Sequence, residues 1–108
     1  MTDEQIKKIQ AAVASADHMS ADKKAELLGL LSKLKPAIAK ASQTDQGKAQ
    51  SIARLVEASA HEATKKKPES TNKLLGELEQ SVEKFEASHP ELVALVTEYT
   101  AFLSAVGI

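Results

Sequence analysis

Ten residues in the last third of the chain, Leu75, Leu78, Val82, Phe85, His89, Leu92, Val96, Tyr99, Leu103 and Val106, follow one another at alternating steps of three and four. That spacing places them in one lengthwise stripe on a helical surface, the pattern of a helix packed along another helix. It dictates packing and carries no chemistry of its own. The polar member is His89, and the next residue is Pro90, which lacks a backbone N–H and disfavours helical geometry at the residue before it. Two structures satisfy the stripe. In one, Ser88-His89-Pro90 is a tight break: Pro90 opens a new helix, Glu91 sits in its first turn and His89 is a cap or turn residue. In the other, one long helix kinks at Pro90 and needs a partner chain along its length. The steric conflict ahead of proline favours the break.

The rest of the chain has the same helical period. Thr2 is an N-cap with Gln5 three residues on, a capping box that opens a first helix striped by Ile6, Ile9, Val13 and Ala16 and ending near Ala16. Asp17-His18-Met19 is a short connection, and Ser20 caps a second helix. There Leu27, Leu30, Leu31, Leu34, Ile38 and Ala41 share one face. Pro36 falls opposite that face at about 100° per residue, and the stripe resumes in phase, which predicts a single bent helix with Pro36 toward solvent. After the polar connection 42–45, a third helix over about 46–64 has Ala49, Ile52, Ala53, Val56, Ala60 and Ala63 inward. Lys65-Lys66-Lys67-Pro68 ends it and opens a linker.

A fourth helix spans about 69–87. A fifth runs from Pro90 to about Val106, with Gly107 placed to stop it. Ala94, Ala101 and Ala105 give this fifth helix a second apolar side. Leu27-Leu28-Gly29 and Leu74-Leu75-Gly76 form a weak internal echo, and the two glycines are read as marks of close helix crossings.

At 108 residues the chain has room for one domain, 1–108. Of its 46 apolar residues 18 are alanine, so 28 larger side chains must build the core, a lean number that suits a small helical bundle. The net charge is −1, yet residues 1–67 carry 12 Lys/Arg against 8 Asp/Glu, while residues 68–108 carry 2 against 7. Such halves attract within one chain or across an antiparallel dimer. The absence of cysteine excludes disulfides and thiolate chemistry. With no apolar leader and no membrane-length apolar run, the chain reads as soluble and cytoplasmic, with no membrane partner.

Candidate chemistry is sparse. Glu86 and His89 have the Glu-x-x-His spacing of di-iron bundles, but such a site needs two of these pairs and two further glutamates, and only one pair exists. His61 has no second histidine at the spacing of a zinc-protease motif. No nucleophile triad or glycine-rich phosphate loop is legible, so no catalytic residue, cofactor or metal ligand is assigned, and no small-molecule ligand is identified. Lys65, Lys66 and Lys67, with Lys7, Lys8, Lys23 and Lys24, form a basic set. Arg54 is the only arginine and no aromatic interleaves, which weighs against nucleic acid and for solvated helix ends.

The segment Phe85-Glu86-Ala87-Ser88-His89-Pro90, followed by Leu92, Leu103 and the ending Gly107-Ile108, resembles a family of short bacterial proteins classed as a domain of unknown function. Their chains end in a similar FE-x-SHP, a helix, then Leu and Gly-Ile. The resemblance covers about the last quarter, and Val106 departs from the methionine expected before Gly-Ile. It implies a small bacterial helical protein and brings no activity with it.

The sequence therefore predicts an all-α fold, a bundle of four main helices plus a shorter N-terminal one. It predicts a non-catalytic protein-interaction or oligomerisation module. Leu92, Val96, Tyr99, Leu103 and Val106 are the interface or core residues, and Ser88, His89 and Pro90 the helix junction. The alternatives are a weak nucleic-acid binder using residues 65–67 and, behind it, a metal-binding bundle.

Overall fold

The first three helices begin where a short polar side chain takes up an otherwise unpaired backbone N–H. The computed structural model describes residues 2–65 and 70–106. Helix α1 (Asp3–Ala14) opens with the capping box: Thr2 Oγ1 accepts from the Gln5 N–H at 3.1 Å, and Gln5 Oε1 accepts from the Thr2 N–H at 2.8 Å. Helix α2 (Ala21–Ser42) is capped by Ser20, whose Oγ accepts from the Lys23 N–H at 3.2 Å. Helix α3 (Gln46–Ala63) is capped by Asp45, whose Oδ1 accepts from the Lys48 N–H at 3.1 Å. Helix α4 (Thr71–Glu83) starts without a side-chain cap bond, and α5 (Pro90–Ala105) starts with proline in its first turn.

Short connections make successive helices antiparallel, and four of them close a ring. Helix α2 packs on α3 and α5, and α4 packs on the same two, which completes a four-helix bundle. Helix α1 lies outside that ring, against α2 and α3. One continuous core fills the centre, with Leu27, Leu31, Leu34, Ile52, Val56, Leu78, Leu92 and Leu103 all fully buried. Among the described residues no large hydrophobic side chain is exposed.

Pro36 behaves as its position on the helical wheel requires. Helix α2 runs unbroken through it, with Pro36 exposed while Ala37, Ile38 and Ala41 are buried. The stripe of the last third is also inward: Leu75, Leu78, Val82, Phe85, Leu92, Val96, Tyr99 and Leu103 are buried, and His89 and Val106 half-buried.

The chain breaks between α4 and α5, so the long kinked helix does not form. The fourth helix is also shorter than its sequence pattern, ending at Glu83 and not near Ala87; its expected start at Glu69 lies outside the described residues. Past Glu83 the backbone tightens: the Phe85 N–H donates to Val82 O at 2.9 Å and the Glu86 N–H to Glu83 O at 3.2 Å, three-residue steps that turn the chain toward Pro90. Phe85 stays on the stripe because a tightened turn still brings it over the bundle end.

The two leucine-flanked glycines do not mark close crossings. Both are exposed, and a Cβ placed on Gly29 or Gly76 would meet nothing within 4 Å. Gly107, the expected stop of the fifth helix, lies outside the described residues.

Candidate functional site

Three places in the fold gather the residues that could act: the Ser88-His89-Pro90 junction, the centre of the bundle at Tyr99, and the outer face of α5.

At the junction the backbone of His89 occupies the N-cap position of α5 with φ −136° and ψ 68°, outside the helical region that the following proline disfavours. Its side chain makes no cap bond. The ring instead reaches the α2–α3 connection, where Nε2 lies 2.7 Å from Thr44 Oγ1. The His89 N–H donates to Phe85 O at 2.7 Å, and the imidazole meets the Phe85 ring edge-on at 5.6 Å. His89 thus ties the two connections at one end of the bundle together. Beside it lies a cavity of about 160 Å³ lined by Ala37, Lys40, Ser88, His89, Pro90, Glu91 and Leu92. Glu91 sits in the first turn of α5, where a carboxylate favours the helix dipole.

In the centre, Tyr99 reaches from α5 across the bundle to α3. Its Oη donates to Val56 O at 2.9 Å and lies 2.7 Å from Ser59 Oγ, which is itself 3.0 Å from Val56 O. Tyr99 and Ser59 are both fully buried. Loss of water around the phenol pushes its pKa well above the ordinary value, and the Ser59 hydrogen bond offsets part of that rise. This is a neutral, satisfied polar pair that ties two diagonal helices together.

The outer face of α5 carries Glu91, Ala94, Thr97, Glu98, Ala101, Ser104 and Ala105, all exposed. The Thr97 hydroxyl is already used, donating to Val93 O at 2.9 Å. The inward face holds Leu92, Val96, Tyr99 and Leu103, with Val106 half-buried at its end.

The remaining candidates are scattered. Lys65 is 3.0 Å from Glu62 Oε2 at the end of α3, while Lys66 and Lys67 lie outside the described residues. His18 Nε2 lies 2.8 Å from Ala63 O, and His61 is exposed. Glu86 is exposed, and its spacing partner His89 is engaged with Thr44. Among the described residues no three His, Asp or Glu side chains come together as metal ligands, and no helix is long and apolar enough to cross a membrane.

Sequence reasoning missed three of these partners. Ser59 stands three residues after Val56 and seven after Ile52, so the helical period already put it on the inner face; only its polarity hid it. Thr44 and Glu57 had no such signal, because they meet His89 and Gln5 through tertiary contacts 45 and 52 residues apart.

A family profile described as "Domain of unknown function (DUF4404)" matches residues 27–108, which takes in α2 from Leu27 through α5. The chain belongs to the DUF4404 family. No curated protein and no solved structure gives a significant match. Within this DUF4404 chain the match contains the whole four-helix ring apart from the first turns of α2, together with the Ser-His-Pro junction and the Tyr99 pair; α1 falls outside it.

Proposed function

We propose that the chain is a small non-catalytic helical module that pairs with another protein chain through the outer face of α5, and that the partner is a second copy. Its setting, on the bacterial resemblance, is the cytoplasm. The observation that carries this reading is the make-up of that face: small side chains at Ala94, Ala101, Ser104 and Ala105, with Glu91 and Glu98 the charges between Pro90 and Ala105. Small residues let two helix backbones approach closely, and the internally bonded Thr97 lowers the cost of removing water from the face. A two-fold crossing centred on Ala101 sets Glu98 of each copy against the small Ser104 of the other, so the like charges are offset. Leu92, Val96, Tyr99 and Leu103 serve the face from within by fixing the rotation of α5 in the ring.

The polar groups a catalyst would recruit support the same reading, since His89, His18 and Tyr99 are each engaged in ties between elements. The chain contains no cysteine, so a single introduced thiol reports contact cleanly. Ala101→Cys is expected to form a disulfide-linked dimer under mild oxidation much faster than Ser51→Cys, which is exposed on α3. Equal rates at the two positions would contradict the assignment.

A further inference from the structure

Helix α1 stands apart from the ring. It packs on α2 and α3, outside the closed set of α2–α5, and outside residues 27–108. Its attachment follows one groove. Asp3 pairs with Lys35 and the Lys24 ammonium donates to Ala14 O at 3.1 Å, so α1 runs antiparallel to α2. Gln5 Nε2 donates to Glu57 Oε2 at 2.7 Å and His18 lies against Ala63 O, so it runs parallel to α3. Between those polar ties Ile9 and Val13, four residues apart, are fully buried. Aliphatic anchors one turn apart, bracketed by polar ties, are the form of helix-in-groove recognition.

The groove also outruns its occupant. At 22 and 12 residues, α2 is about 33 Å long and α1 about 18 Å. Beside Thr2 and Gln5 lies a cleft of about 580 Å³ with Ile38, Ala49 and Ala53 in its lining. An arriving helix has a foothold there before α1 lifts. Ala16 and Met19 are buried in the connection to α2 and anchor it, so α1 lifts by pivoting about Ser15.

We propose that α1 is a displaceable occupant and that the α2–α3 groove is an interaction surface for an amphipathic helix, the α1 of a second copy of this chain. Exchange between copies remakes the same contacts, which is what makes swapping of an identical element accessible. The ring keeps its own core and its Tyr99 tie when α1 leaves. This surface is separate from the outer face of α5, and each stands or falls alone.

Two measurements on the full chain test it. In native-state hydrogen exchange the buried turn of α1 around Ile9–Val13 is expected to exchange at least about tenfold faster than α3 around Val56, through an opening of its own. Exchange of α1 only with global unfolding overturns the proposal. A labelled synthetic peptide of residues 1–19 is expected to bind the full chain saturably, and the same peptide with Ile9→Asp and Val13→Asp at least about a hundredfold more weakly. A Gln5→Cys, Glu57→Cys chain, pinned by oxidation, is expected to lose peptide binding and regain it on reduction. Absence of binding to the wild-type chain, or binding that the two aspartates leave unchanged, overturns the proposal, as does binding undiminished by a disulfide verified by mass.

Discussion

Tyr99 is the residue in which the fold and its limits are most concentrated. It is the largest fully buried side chain, and its hydroxyl is satisfied by Val56 O and Ser59 across the bundle. Tyr99→Phe keeps the ring and removes the oxygen, which is expected to cost about 1–2 kcal/mol of stability, measured by urea unfolding. The same phenol sets a pH limit. Burial raises its pKa on folding, so the folded state prefers the protonated form. Its contribution is full below the unfolded value near 10 and is lost as pH rises from there through the higher folded value, by up to about 1.4 kcal/mol per pH unit. The Tyr99→Phe chain is expected to lack this alkaline component, and an unchanged alkaline unfolding curve would contradict it. Asp45 acts at the other extreme of pH. The Lys48 backbone N–H holds its carboxyl below the ordinary value, so the cap of α3 is intact above the unfolded pKa and weakens as pH falls through the folded one.

At the scale of elements, what was legible in the sequence followed from period and caps. Thr2 with Gln5, Ser20, and the phase of Pro36 against Leu34 and Ile38 are local signals, and local geometry honours them. The end of α4 was not legible, because the pattern through Phe85 continues past the point where the chain must begin to turn for Pro90. Gly29 and Gly76 misled for a related reason: a helical glycine reads as a close approach, but only tertiary structure says whether a neighbour is there. With no atom near the missing Cβ, Gly29→Ala and Gly76→Ala should each stabilise the protein by about 0.5–1 kcal/mol. Pro36→Ala should add about 1–3 kcal/mol, since Pro36 is exposed and its replacement restores a helix hydrogen bond. Thermal or urea unfolding measures all three, and a loss of stability at Pro36 would mean that α2 needs the local geometry proline imposes.

At the scale of the whole molecule, both sides of α5 matter, for different reasons. Its inner side completes the ring, and the sequence showed that stripe plainly because packing leaves a period. Its outer side showed only as scattered alanines, because exposed positions are under no packing constraint that would leave a period. The opposite charges of the two halves are brought into one bundle, with α2 and α3 from the basic half packed against α5 and α4 from the acidic half. The inner face of α5 holds one chain together, and on the proposed pairing its outer face joins two. Light scattering across a hundredfold dilution, on the wild-type chain and on Ala101→Glu, tests that pairing most directly. The wild-type chain is expected to be a dimer that dissociates on dilution, and the Ala101→Glu chain to dissociate at least about tenfold more readily, with its helical circular dichroism unchanged. A wild-type monomer at every concentration, or a dimer that Ala101→Glu leaves intact, would contradict it.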